Sequence, residues 1–266
     1  MAVLLAYGTD VYSFVGPNGS VSGWLSIGTA PSGAVPGAVP SHNDGILGIY
    51  SAANEVTAAF AVDLGAAKVP IFAAFFNHNI TVPAAVRVQA SASPNFGVLL
   101  MDVAVTLHTT NPNFWKDLRS VAPSGGARYW RGLVTGNSTA VKLGEFVVAD
   151  ADSLQSYQWN YTDIRDYLEH LKGVTDHGVR ERVKQRIRIR ARAVRWVGPD
   201  TIEAALRAVS DRIGVLPGPV IFIPDDTDES DVWFLDWQDT YTAKAVIENR
   251  QEVLLTLQEQ SPGSLT

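Results

Sequence analysis

The chain has 266 residues, 46% of them hydrophobic and 18% charged, with no cysteine and a formal net charge of −6. That length allows one large core or two modest ones, and two domains are the better expectation. The lack of cysteine excludes disulfides, thiolate metal sites and cysteine nucleophiles. No apolar run reaches the roughly 18 residues a membrane-crossing helix needs, and the start carries no basic leader pattern, so a soluble, unprocessed chain is expected.

Residues 1–150 are rich in Gly, Ala, Ser, Val and Pro, with short apolar runs between turn signals such as Gly16-Pro17-Asn18-Gly19 and Pro31-Ser32-Gly33. This pattern predicts many short strands. The clearest are Ala58–Leu64, Ile71–Phe76, Ala85–Ala90, Gly97–Leu107, Tyr129–Val134 and Lys142–Val148. Together they predict an antiparallel sandwich. Residues Gly28 to Pro40 have no steady apolar period and read as an extended loop.

Near Ala149 polar residues interrupt the apolar pattern, and a domain boundary is placed at 150, leaving 151–266 as a second domain. There Asp163 could cap a short helix with Ile164, Tyr167, Leu168 and Leu171 on one face, ended by Gly173. A stronger helix is predicted over 201–213. Asp200 and Glu203 match a capping box, Ile202, Leu206, Val209 and Ile213 make one stripe, and Gly214 follows. Strands are predicted at Val183–Val197, Pro219–Ile223, Asp231–Trp237, Thr240–Glu248 and Gln251–Gln258.

Charge is unevenly spread. Eight of the 21 Lys and Arg residues lie between Arg180 and Arg195, beside a single acid. Within that span Arg182, Lys184, Arg186, Arg188, Arg190 and Arg192 recur at every second position. A period of two is a strand with one basic face, since a helix would scatter these charges around its circumference. Like charges about 6.6 Å apart repel, so something acidic is expected opposite. One candidate is the run Asp225, Asp226, Asp228, Glu229 and Asp231 on a neighbouring copy; the other is DNA. Subunit contact is the favoured reading. As a calcium loop the acidic run lacks the central Gly and final bidentate Glu of an EF-hand. Trp24, His78 and Trp115 are candidate glycan contacts, although His78 between Asn77 and Asn79 fits a polar turn better, and Trp130 fits a core. No nucleophile elbow, phosphate loop or dinucleotide fingerprint occurs, and no catalytic residue or cofactor is expected.

Several segments resemble structural proteins of bacteriophage tails. These are Val62-Asp63-Leu64-Gly65, Asn77-His78-Asn79, Ala85-Val86-Arg87-Val88-Gln89, Ser93-Pro94-Asn95-Phe96, Arg128-Tyr129-Trp130-Arg131 and Leu143-Gly144-Glu145-Phe146. The same order is similar to discoidin-type, galactose-binding-like jelly rolls and covers roughly residues 45–150. Residues 151–266, with Gly218-Pro219-Val220-Ile221-Phe222-Ile223-Pro224-Asp225, resemble the α+β domain that forms rings in tail tubes and distal tail proteins. The resemblance implies a mainly β, non-enzymatic tail or tail-tip protein, made in the host cytoplasm and residing in the virion. Its partners would be copies of itself in a ring and other tail proteins, with no membrane and no stable nucleic-acid binding. The alternative is a carbohydrate-binding module for a host surface glycan.

Overall fold

A computed structural model describes residues 2–7, 11–13, 50–51, 58–108, 113–139, 141–155, 160–168, 171–174, 180–183, 187–199, 204, 207, 220–237, 242–247 and 250–259. They form strands almost throughout. In chain order these are β1 (Ala2–Tyr7), β2 (Val11–Ser13), β3 (Tyr50–Ser51), β4 (Ala58–Lys68), β5 (Phe72–His78), β6 (Ala85–Ser91) and β7 (Leu99–Val105). Then come β8 (Asn113–Asp117), β9 (Ala127–Thr135), β10 (Lys142–Ala149), β11 (Asp152–Gln155), β12 (Asn160–Leu168), β13 (Leu171–Val174), β14 (Arg180–Val183) and β15 (Ile187–Pro199). The last four are β16 (Val220–Ile223), β17 (Trp233–Trp237), β18 (Thr242–Ile247) and β19 (Arg250–Glu259).

The chain makes two compact units, and neither is continuous in sequence. The first combines Met1–Ser156, Leu216–Phe234 and Pro262–Thr266; the second combines Tyr157–Val215 and Leu235–Ser261. A single cut at 150 therefore does not describe the domain organisation, because the strand β16 and the acidic run return to the first unit.

The first unit is an antiparallel β-sandwich. One sheet has the order β4-β9-β6-β7, and the facing sheet has the order β2-β10-β5-β8 with β3 also on β10. Between them lie Phe60, Val62, Val86, Val88, Trp130 and Val134 from the first sheet and Phe75, Phe114, Phe146 and Val148 from the second. Trp130 is fully buried, as its alternating strand predicts. The second sheet is also covered on its outer face. Phe72, Ala74 and Phe76 of β5, Trp115 of β8, and Val147 and Ala149 of β10 pack there against Leu4, Ile221, Ile223, Val232 and Phe234. All seven residues of β5 are consequently buried, which is why Phe-Ala-Ala-Phe-Phe is apolar without alternation. Strand β1, unrecognised in the sequence, supplies Leu4 to this second core and pairs with β11 and β16.

Gly132 marks the tightest point of the first core. A Cβ there would lie 2.6 Å from Phe75 Cε1 and 3.0 Å from Phe146 Cδ2. Its absence lets Phe75 sit 4.8 Å from Phe114 and 4.9 Å from Phe146, ring centre to ring centre. Gly132→Ala is expected to cost about 1–3 kcal/mol of unfolding free energy through overpacking, measurable by urea denaturation.

In the second unit β19 pairs with β15, β17 and β18, β15 pairs with β12, and β13 pairs with β14. Where a short helix is expected from Asp163 to Leu171, Asp163–Leu168 lie in strand β12 and Leu171 opens β13. The register of β12 places Asp163 directly opposite Arg192. Of the strand expected over 183–197, Val183 lies in β14 and Ile187–Val197 lie in β15, while 184–186 lie outside the described residues. Of the helix expected over 201–213 only Ala204 and Arg207 are described, and both have helical backbone.

Candidate functional site

The acidic run sits on the first unit, between β16 and β17, as two successive Asx turns. Asp225 Oδ1 accepts hydrogen bonds from the Thr227 N–H (2.9 Å) and Oγ1 (2.6 Å). Three residues on, Asp228 Oδ1 accepts the same pair from Ser230 at 2.9 and 2.6 Å. An aspartate that satisfies the N–H two positions ahead replaces regular structure with a turn, so the repeated Asp-x-Thr/Ser spacing dictates this geometry. The Ser230 hydroxyl, ahead of its N–H, holds the Asp228 carboxyl below its ordinary pKa.

The turn is clamped onto β8. Trp115 donates from its backbone N–H to Glu229 O (2.9 Å) and from Nε1 to Asp228 O (2.7 Å). Lys116 Nζ meets Glu229 Oε1 at 2.5 Å, and Arg119 bridges Asp226 (3.0 Å) and Asp117 (2.8 Å). Hydrogen bonding to Asp117 first, and to Asp226 after burial, raises the Arg119 pKa. Asp231 Oδ1 accepts from Trp233 Nε1 at 2.5 Å. Two of the five acids, Asp226 and Glu229, are thus neutralised within the unit, while among the described residues Asp225 and Asp228 bond to neutral groups of their own turn. Asp228 also feels the His108 charge.

No family model, no curated protein and no solved structure matches the chain. The site is therefore read from its own geometry.

The basic residues fall on two separate ladders. Arg182 in β14 stands opposite Lys172 of β13. Arg188, Arg190 and Arg192 occupy alternate positions of β15, opposite Tyr167, Arg165 and Asp163 of β12. The register thus adds a fourth arginine, Arg165, and one acid, Asp163, to their row. Lys184 and Arg186 lie outside the described residues, as does Trp24.

Trp115 is not an exposed sugar platform. It has no solvent exposure, its ring meets Phe72 edge-on with centres 6.3 Å apart, and its indole N–H is committed to Asp228. The run Asn113-Phe114-Trp115-Lys116 is a strand buried on both faces, which the flanking Asn and Lys disguise. His78 is 7% exposed, and its Nδ1 accepts the Ile80 N–H at 3.1 Å. Its ring also meets Phe114 edge-on, so it serves the turn and presents no face for a glycan. Among the described residues no three His, Asp or Glu side chains gather in a metal-holding group.

Two residues with unusual environments were not singled out in the sequence. Glu145 is 1% exposed on β10, and burial pushes its carboxyl well above the ordinary value. Arg131, 9% exposed on β9, has its pKa lowered by burial. The available signal was a charged residue inside a strand of otherwise apolar composition.

Proposed function

We propose that the chain is a structural protein of a bacteriophage tail or tail tip, working by ring assembly and subunit contacts without catalysis. The observation that supports this most is that segments carrying the resemblance, far apart in sequence, touch one another. Asp63 binds Arg128 with two hydrogen bonds of 2.8 and 2.9 Å and accepts the Gly65 N–H at 2.8 Å. Arg131 holds Gln89 at 2.6 Å and stacks on Phe96, its guanidinium carbon 4.3 Å from the ring centre. Asn77 takes the left-handed conformation, φ 50°, that its turn requires. These residues maintain one architecture, and we read it as the galactose-binding-like jelly roll, with the second unit as the tail-tube-like α+β domain. The partners are further copies, other tail proteins and no membrane or stably bound nucleic acid; the site of action is the virion.

In the ring, the Arg188, Arg190 and Arg192 row of one copy meets Asp225 and Asp228 of the next, the two acids that lack a cation of their own turn. A heterologous interface of complementary patches closes a cyclic assembly. Each exposed pair contributes roughly 0–1 kcal/mol, so the network sets register more than affinity. The test is sedimentation of the full chain. Arg188→Glu with Arg190→Glu is expected to leave a folded monomer by circular dichroism. Adding Asp225→Lys and Asp228→Lys is expected to restore part of the assembled species. Unchanged assembly in the first variant refutes this contact. The second reading, a glycan-binding module, draws on the sandwich alone and predicts glycan-array signals from the full chain.

A further inference from the structure

The outer face of the sheet β4-β9-β6-β7 carries a guanidinium, Arg131, whose nearest carboxylate, Asp102, is already in a salt bridge with Arg87. One cross-strand row runs Ala61, Arg131, Gln89, Asp102 over the four strands. Asp102 is occupied by Arg87, whose Nε lies 2.6 Å away, and by Gln89 Nε2 at 2.9 Å. Asp63 is likewise occupied by Arg128. Arg131 is left with one hydrogen bond, from Nε to the neutral Gln89 Oε1 at 2.6 Å. Among the described residues no acceptor meets its two terminal nitrogens.

That arrangement is costly. A guanidinium removed from water is ordinarily matched by a carboxylate or a set of acceptors, because the lost hydration is worth several kcal/mol. Here the residue is 9% exposed, and the Phe96 ring covers one face of its plane. Phe96 holds that position at φ 52°, a conformation bulky residues rarely take, secured by the bond from its N–H to Ser93 O and by Asn95 Oδ1 accepting from Ser93 Oγ and the Gly97 N–H. The terminal edge of a guanidinium with its face shielded is a two-pronged donor whose spacing matches the two oxygens of a carboxylate. The nearby Asp102 charge disfavours a dianion, so a group carrying one negative charge fits best.

We propose that Arg131 is the centre of a binding site for a single carboxylate group, taken from an acidic sugar or a simple carboxylic acid. Gln89 fixes the guanidinium from the Nε side, Phe96 excludes water from one face, and the two terminal nitrogens grip both oxygens. Ala61 opposite on β4 offers no competing acceptor. This site goes beyond the assembly reading and is independent of the β15 row.

The test uses the full chain in amide-detected NMR at constant ionic strength, titrated with sodium glucuronate, sodium acetate, glucose and sodium phosphate. Saturable shifts confined to Ala61, Gln89, Arg131, Gly132 and residues 92–97 are expected with glucuronate. Acetate binding equally well would assign recognition to the carboxylate alone; at least about tenfold tighter glucuronate would assign the ring a share as well. Arg131→Lys, which keeps the charge and loses the two-pronged edge, is expected to weaken binding about tenfold or more. Phe96→Leu, which leaves Arg131 in place, is expected to weaken it several-fold. The proposal is overturned by no saturable shift with either acid, by shifts elsewhere, by equal binding of glucose or phosphate, or by unchanged affinity in both variants.

Discussion

A fragment of residues 1–150 is expected not to reach the native sandwich, even though it contains both facing sheets. It lacks Ile221, Ile223, Val232 and Phe234, which cover one face of the sheet built on β5 and β10. Burying a large apolar side chain contributes roughly 1.5–3 kcal/mol, so removal of these four forfeits about 6–12 kcal/mol. That is comparable with the roughly 5–15 kcal/mol by which whole domains are stable. The loss also uncovers Phe72, Phe76 and Trp115, each without exposure in the full chain, and removes the carbonyl that Trp115 Nε1 requires. The fragment should show weak near-ultraviolet circular dichroism, bind a hydrophobic dye and exchange its β5 amides rapidly. A chain in which a flexible Gly/Ser linker replaces 157–215 and which ends at 234 should recover cooperative melting. Native-like cooperativity in the short fragment would show that the second core is dispensable.

The reason this dependence was illegible in the sequence is specific. Where apolar and polar residues alternate in sequence, as in Val86-Arg87-Val88-Gln89, two distinct faces are announced and the strand's position follows from that. A strand buried on both faces has no period to read. Phe72–His78 is identifiable as a strand, but nothing in it says which distant segment covers its second face. The answer, β16 with the turn after it, follows a long intervening segment in the chain. By local composition the chain beyond 150 reads as a separate α+β domain.

The charged features show a related split. Period-two alternation correctly places Arg188, Arg190 and Arg192 in a strand, because that inference needs only local geometry. It could not reveal Arg165 opposite Arg190, since register is set by the partner strand. The acidic run was legible as charge but not as a clamp. Lys116 and Arg119, which neutralise Glu229 and Asp226, lie more than a hundred residues earlier. Composition gave no means of pairing them.

Glu145→Gln is expected to stabilise the protein near neutral pH and to leave it unchanged in acid. Glu145 lies 1% exposed in β10, directly opposite Phe76 of β5 and next to Phe146, whose N–H bonds to its carboxyl. Burial, the larger influence, raises its pKa well above the ordinary 4.5, while the Phe146 N–H works in the other direction. The folded state therefore keeps this proton at pH values where the unfolded chain has released it. Such a group favours folding fully below the unfolded pKa, and its contribution declines as pH rises towards the elevated folded value. Above that value the folded protein must hold a buried carboxylate, at a cost on the order of several kcal/mol. Glutamine keeps the shape and an acceptor for the Phe146 N–H, and it never ionises. Asp63, Asp102 and Asp228 impose the opposite trend, since each is held below its ordinary value and loses its stabilising contribution as pH falls. They are common to both proteins and cancel in the comparison. Urea denaturation should thus give coincident curves at about pH 4 and a more stable variant at about pH 8, the gap opening upward from the unfolded glutamate pKa. Parallel stability profiles over that range would mean that Glu145 ionises in the folded protein as readily as in the unfolded chain.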